Sequence, residues 1–217
     1  MSVISKLSLL VILGAFSSFG FSDIAESPEP TKSESHDSFD LCDSFEIFGT
    51  DDDPYIRWQK GERLTWKQFQ GKGRKNTPEA ARTTSSINFS YTYDGRGSVR
   101  FEAFAAFHLK ESWVKDGKEL ADLLEHEQRH FDITEWFVRK LRKKVSTHRF
   151  TSRRLASDYD LMFEDAHAGL QQMQRKYDRE TSHSLNKPEQ ALWEKRIDRE
   201  LKALSKYAEP FVVARVH

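Results

Sequence analysis

The 217-residue sequence contains a single cysteine, Cys42, so no disulfide bond can form within the chain. It has no excess of charge of either sign, because 34 basic side chains balance 34 acidic ones. The global field that would attract nucleic acid or an anionic membrane is therefore absent. Internal repeats, phosphate-loop or dinucleotide fingerprints, and a convincing serine or cysteine nucleophile are also lacking. We expect no nucleic-acid partner.

The N-terminus carries the long apolar run of the sequence. Within MSVISKLSLLVILGAFSSFGFS, residues 1–22, Lys6 precedes an apolar stretch from Leu7 to Phe16, and small residues follow. This order is typical of a secretory signal peptide. It predicts an exported protein, periplasmic or extracellular, that is free of the membrane after cleavage. The alternative is an uncleaved membrane anchor, since the stretch nears the length of a span.

The composition divides the chain into three regions. After the signal peptide (1–22), residues 23–44 are rich in Ser, Pro, Asp and Glu and are predicted to be a flexible linker. Cys42 falls in this linker and is interpreted as an incidental thiol. Residues 45–217 are predicted to form a single domain, for which 16 Phe and 5 Trp supply core material.

The predicted domain has an α+β fold. SSINFSYTY (85–93) and SVRFEAFAAFHL (98–109) flank the turn DGRG and predict an antiparallel hairpin. The second strand is interpreted either as plain core sheet or as an edge strand that aligns a peptide. After Gly117 the apolar period becomes 3.6 residues. Three helices are predicted, at about 118–146, 152–178 and 188–206, the last one capped by Asn186.

The segment LLEHEQRHFDITEW (123–136) lies in the first of these helices. On a helical wheel, Glu127 and His130 fall within the apolar sector and His126 falls on its margin. The apolar sector contains Leu120, Leu124, Phe131, Val138, Leu141 and Val145. The opposite sector contains Arg129, Asp132, Trp136, Arg139 and Lys143. A carboxylate that faces a core is costly unless it is paired or has a chemical role.

Metal chemistry accounts for this placement. Two histidines four residues apart on a helix project both imidazoles from one face and can bind one zinc ion. His126 and His130 are therefore candidate metal ligands. Glu127 would lie next to the water position and is the candidate general base. The alternative, an ordinary helix with surface histidines, does not explain why these residues share the core side.

A catalytic zinc needs a third protein ligand. His183 in YDRETSH (177–183) is one candidate, and Glu164 and His167 on the second helix are others. His108, at a strand end, and His148, in a basic loop, are weaker candidates.

Five segments together resemble DUF922, a family of exported bacterial proteins regarded as predicted zinc-dependent proteases. The segments are LTWKQFQG (64–71), KESWV (110–114), LLEHEQRHFDI (123–133), YDRETSH (177–183) and QALW (190–193). The resemblance covers most of residues 55–205. It implies a zincin-like fold with the HExxH motif on the first long helix, and it implies that His183 is the third ligand in preference to Glu164. Ser184 departs from the family pattern, which has glycine there.

Three further residues have candidate roles at the site. Tyr177 could stabilise an oxyanion during catalysis, or it could pack in the core. Asp178 or Asp132 could orient a ligating imidazole, or Asp178 could cap a helix end.

The sequence thus predicts a zinc-dependent peptidase with peptide or protein substrates. The alternatives are a zinc hydrolase of a non-protein amide, such as a cell-wall peptide, and a non-catalytic envelope binding protein.

Overall fold

The computed structural model describes the backbone of residues 3–8, and residues 54–73 and 76–217 in full. These residues belong to one compact unit. Apart from residues 3–8, the predicted signal peptide (1–22), the linker (23–44) and Cys42 lie outside the described residues, so their assignments remain predictions. No helix in the described ranges is both long enough and apolar enough to cross a membrane.

An antiparallel sheet forms one layer of the fold. Its strands are β1 (Val3–Ser8), β2 (Tyr55–Arg57), β4 (Ser85–Tyr93), β5 (Ser98–His108) and β7 (Phe211–Arg215). The predicted hairpin is confirmed as β4 and β5. Its turn is fixed by Asp94, whose carboxylate accepts hydrogen bonds from the backbone N–H groups of Arg96 and Ser98 at 2.7 and 2.9 Å. Gly95 and Gly97 take positive φ angles of 70° and 100°, which glycine adopts without strain.

Strand β5 is the central strand of this sheet. It pairs with β4 along one edge, while β2 and β7 pair with the two ends of its other edge. The interpretation of β5 as a free edge strand is therefore wrong, because both of its edges are occupied. Its core-facing side chains are almost fully buried: Val99, Phe101, Ala103, Ala105 and Phe107. A separate two-stranded ribbon joins β3 (Ala81–Arg82) to β6 (Trp113–Val114).

The three predicted helices are confirmed, and every boundary lies within three residues of the prediction. They are α1 (Ala121–Thr147), α2 (Leu155–Thr181) and α3 (Lys187–Ala203). The start of α3 is as expected, since the side chain of Asn186 accepts a hydrogen bond from the backbone N–H of Glu189 at 3.4 Å. The architecture is thus α+β, a small antiparallel sheet with three helices.

Helix α1 is more deeply buried than an amphipathic helix. Arg129, Asp132, Trp136 and Arg139, from the sector opposite the apolar residues, are at most 9% exposed. The wheel predicts a free polar face there, and the structure corrects it because α3 covers that face. Arg129 donates to the Asp198 carboxylate at 2.6 Å, and Arg139 donates to the carbonyl of Leu201 at 2.8 Å. Leu120, assigned to the core side, is 61% exposed because it precedes the first turn.

A buried ion network ties α1 to the sheet. Glu135 accepts hydrogen bonds from Arg139 at 2.9 Å and from Arg142 at 3.1 Å. Arg142 also donates to the carbonyls of Ala103 in β5 and of Tyr207 and Ala208 after α3. Its guanidinium therefore links the carbonyl of Ala103 to two adjacent carbonyls about a hundred residues later in the sequence.

We expect Arg142→Met to lower the free energy of unfolding by about 3–5 kcal/mol, because the change removes one of the two donors to the buried Glu135 carboxylate and the side-chain donor to the carbonyls of Ala103, Tyr207 and Ala208. Urea unfolding monitored by circular dichroism measures this change. The exposed neighbour Lys143 provides the matched control, and Lys143→Met should shift the unfolding free energy by no more than about 0.5 kcal/mol. Equal stability of the two variants would contradict the role assigned to Arg142.

Candidate metal centre

His126 and His130 lie one turn apart on α1, and their Nε2 atoms are 3.2 Å apart. His126 is 1% exposed, and the ring of His130 is perpendicular to it at a centroid distance of 4.8 Å. In a tetrahedral zinc site with bonds of about 2.0–2.1 Å, neighbouring ligand atoms are about 3.3–3.4 Å apart. The two Nε2 atoms therefore already have the spacing of two ligands of one metal ion.

Two glutamines hold the other nitrogen of each ring. The Nδ1 atom of His130 is 2.5 Å from Oε1 of Gln174, and that of His126 is 3.2 Å from Oε1 of Gln190. An amide oxygen can only accept, so each Nδ1 donates its proton. The Gln174 amide is oriented by its Nε2, which donates to the carbonyl of His130 at 2.9 Å. In the neutral rings, the Nε2 lone pairs are consequently free for a metal.

Sequence reasoning missed both glutamines. Gln174 is on α2 and Gln190 is on α3, and a lone glutamine in a helix carries no metal-site signal of its own. Both are buried, at 8% and 5% exposure, which only the packing of the three helices reveals.

Tyr177 forms the floor beneath the histidine pair. Its ring stacks on His126 at a centroid distance of 4.6 Å and meets His130 edge-on at 4.9 Å. The hydroxyl is fully buried; it donates to Oε1 of Gln190 at 3.0 Å and lies 3.3 Å from the carbonyl of His126. Burial raises the pKa of Tyr177 well above its usual range. This placement supports the packing role of Tyr177 rather than a role at an oxyanion.

Asp178, on the last turn of α2, brings its carboxylate to the histidines. Its Oδ1 atom is 2.9 Å from Nε2 of His130, 3.2 Å from Nε2 of His126 and 3.5 Å from Nδ1 of His183. Donor atoms of His126, Asp178 and His183 all lie within 4.8 Å of one another, a spacing that could hold a metal ion. Nitrogen and carboxylate oxygen donors at this spacing suit zinc. The cluster thus passes a geometric test for a metal centre.

His183 reaches this cluster through a left-handed turn. Ser182, His183 and Ser184 have φ angles of 49°, 51° and 76°, and the N–H of His183 donates back to the carbonyl of Asp178 at 3.0 Å. The turn reverses the chain after α2, so that the imidazole lies near Asp178 while its side chain stays 63% exposed. Ser184 is buried at a positive φ that glycine adopts more readily.

The other candidate third ligands lie elsewhere. Glu164 is exposed and precedes Asp178 by fourteen residues of α2, or about 21 Å along the helix axis. His167 is eleven residues, about 16 Å, before Asp178 on the same helix. His148 pairs with Asp158 at 2.9 Å beyond the far end of α1. His108 is hydrogen-bonded to Ser86 at 2.7 Å at the end of β5.

Asp132 is one of the two carboxylates, with Asp178, that the sequence offers for orienting an imidazole. It does not have this role. Its carboxylate accepts hydrogen bonds from the Trp58 indole at 2.8 Å and from the Gln128 amide at 2.9 Å. Gln128 in turn accepts from the backbone N–H of Leu64 at 2.8 Å. These two residues of the HEQRHFD segment therefore anchor the preceding loop to α1 rather than act at the site.

Glu127 is buried with an unsatisfied oxygen. The residue is 3% exposed, and its Oε2 atom has no hydrogen-bond partner among the described residues. Its backbone carbonyl accepts from the Thr83 hydroxyl at 3.1 Å. A buried carboxylate oxygen without a donor is costly. The carboxylate helps to raise the pKa of His130, so it acts electrostatically on the histidine pair and suits the acceptance of a proton from water.

The charges of the cluster are strongly coupled. Burial alone would lower the pKa of His130, but the Asp178 carboxylate outweighs it and, with help from Glu127, raises this pKa to about 9. Burial likewise opposes ionisation of Asp178, yet the His130 imidazolium holds the pKa of Asp178 well below its usual range. The hydrogen bond to Asp178 raises the pKa of His183. Without a metal, protons supply the positive charge that the cluster requires.

The fold and this cluster define an α+β protein with a candidate metal centre of histidine and carboxylate donors. A family model described as "Bacterial protein of unknown function (DUF922)" matches residues 59–184, more than half of the chain. The protein belongs to this family, as its motifs predict. The match includes His126, His130, Asp178 and His183. No curated protein and no solved structure matches the chain.

We expect Gln174→Leu to weaken zinc binding by about 10–100-fold, because the change frees the ring of His130 and removes the acceptor that fixes its tautomer. Competition with a chromophoric chelator measures the Kd. Gln172→Leu is the matched control, since Gln172 is two residues away on the exposed face of α2. Equal zinc affinity in the two variants would contradict the orienting role of Gln174.

Zinc affinity should also depend on pH. Because the pKa of His130 is about 9, this ring is protonated at neutral pH and a metal ion must displace its proton. We expect the zinc affinity to rise roughly tenfold per pH unit between pH 7 and 9 and to level off above that range. Chelator competition, corrected for the protonation of the chelator itself, tests this. A constant affinity across the range would rule out proton displacement at His130.

Proposed function

We propose that the protein is an exported zinc-dependent peptidase that cleaves peptide or protein substrates by adding water to the peptide bond. The observation that carries the proposal is the buried Oε2 of Glu127, which has no partner among the described residues, on a carboxylate whose charge helps to raise the pKa of His130, together with two imidazoles with convergent Nε2 atoms. A histidine pair alone fits a structural metal site. The free carboxylate beside it is what a hydrolytic site requires in addition.

Each residue of the cluster then has a defined task. His126, His130 and His183 would hold a zinc ion, which when bound would supply Lewis acidity to the carbonyl and to water. Glu127 takes a proton from the attacking water and passes it to the leaving amine. Gln174 and Gln190 hold the imidazoles in the ligating tautomer. Tyr177 supports both rings from below, so that the geometry of the pair persists when protons leave.

A non-catalytic envelope binding protein is the second candidate. One observation favours it: Asp178 places a fourth protein donor atom in the cluster. Zinc sites with four protein ligands are typically structural, whereas catalytic sites keep one position open. A zinc hydrolase of a cell-wall peptide or other non-protein amide would use the same site residues as the peptidase.

Metal analysis combined with two substitutions tests the proposal. The purified wild-type protein supplied with zinc should hold about one ion per chain, and His130→Ala should hold far less. Glu127→Gln should keep the metal but lose about 10²–10⁴-fold in the rate of hydrolysis of a broad peptide library. Glu119→Gln, at an exposed position before α1, is the matched control and should retain both properties.

Two results would count against the peptidase. A wild-type protein that remains metal-free would overturn the whole proposal. Normal metal content without hydrolysis of the library would favour the binding protein, or a non-protein amide if cell-wall peptides are cleaved instead.

A further inference from the structure

We propose that Asp178 is a fourth protein ligand that closes the metal centre at rest, and that its carboxylate must give way to water before a substrate is hydrolysed. This inference rests on the proposed function, because a closed centre needs opening only if it is catalytic. It assigns Asp178 a role at the metal itself, where the sequence indicated an orienting group or a helix cap.

The distances place the carboxylate oxygen at a ligand position. If the Asp178 oxygen lay at the centre of the cluster and accepted tetrahedrally arranged hydrogen bonds of about 2.9 Å, the donor atoms around it would be about 4.7 Å apart from one another. Instead the Nε2 atoms of His126 and His130 are 3.2 Å apart, and Oδ1 of Asp178 lies 3.2 and 2.9 Å from them. Three nearly equal edges describe one face of a tetrahedron about 3.3–3.4 Å on a side. Asp178 thus occupies a corner of this tetrahedron.

His183 is the remaining donor of the cluster. Its Nδ1 atom is 3.5 Å from Oδ1 of Asp178, close to the edge of a zinc tetrahedron, and its donor atom lies within 4.8 Å of that of His126. With His126 and His130 this makes four protein donors. A tetrahedral zinc ion bound by all four would have no position left for water.

Asp178 is also better placed to leave than the two helical histidines. Among the described residues, its carboxylate contacts only the three histidines, and no lysine or arginine holds it. The two helical histidines are instead fixed through Nδ1 by Gln174 and Gln190. Asp178 is 25% exposed, whereas His126 is 2% exposed, so solvent reaches the carboxylate side of the cluster first. A substrate or water arriving from that side would meet Asp178 before the buried imidazoles.

Closure by Asp178 has a measurable consequence for small ligands. A ligand that binds only the open form has its affinity reduced by the fraction of molecules that are open. Imidazole is a suitable probe because it is neutral, so removing the charge of Asp178 does not by itself change its attraction to the site. Cobalt(II) in place of zinc gives a visible spectrum that shifts when imidazole binds.

The test titrates imidazole into the cobalt(II)-loaded full-length protein and its variants. We expect Asp178→Asn to bind imidazole at least about tenfold more tightly than wild type, which corresponds to a centre closed about 90% of the time. Asp122→Asn is the matched control. It makes the same chemical change at a 72% exposed carboxylate paired with Lys187 near the start of α1, and it should behave as wild type.

Equal imidazole affinity in wild type and Asp178→Asn would overturn the closure while leaving the metal site intact. A wild type that binds neither cobalt nor zinc would instead defeat the proposed function. If Asp178→Asn fails to fold or to bind cobalt, a crystal structure of the zinc-loaded wild type provides the test instead. An Asp178 oxygen about 2.0–2.2 Å from the zinc supports the proposal, and a water molecule in its place overturns it.

Discussion

Helix α1 is buried along most of its length although it carries two histidines, three acidic residues and three arginines between positions 126 and 142. A charge removed from water must find a partner inside the protein. Along the C-terminal half of the helix, Glu135 accepts hydrogen bonds from Arg139 and Arg142, and the arginines also donate to carbonyls of the sheet, of α3 and of the segment after it. The need to pair these charges constrains where the sheet and α3 can lie.

The N-terminal half of α1 obeys the same requirement with a different outcome. Glu127 keeps one oxygen unpaired, and two imidazoles direct their Nε2 atoms at each other and at Asp178. Two lone pairs and a carboxylate that face one another need positive charge between them, either protons or a metal ion. The buried charges named above are paired in the C-terminal half of the helix, whereas the buried groups in its N-terminal half still need a positive partner. This N-terminal half is the candidate site.

Much of this arrangement can be predicted from the sequence, and the part that cannot has a physical reason. The period of the apolar residues and the Asn186 cap locate the helices, and the His126–His130 spacing locates two donors of the candidate metal centre. The burial of the Arg129 and Arg139 face is not predictable from α1 itself, because it depends on the later packing of α3. Gln174 and Gln190 give no local signal, and β7 follows a helix in a tail too short to show a period.

The position of His183 depends on the left-handed turn at Ser182–Ser184, whereas the positions of the other donors do not. His126 and His130 are positioned by a regular helix, which many sequences can form, whereas His183 depends on three consecutive residues with positive φ. Side chains with a Cβ resist that conformation, and β-branched residues or proline resist it most. A relative could therefore keep every candidate metal-binding residue in its sequence and still lose the geometry of the cluster, through a change in the turn alone. The presence of these residues in a sequence does not by itself guarantee the candidate centre.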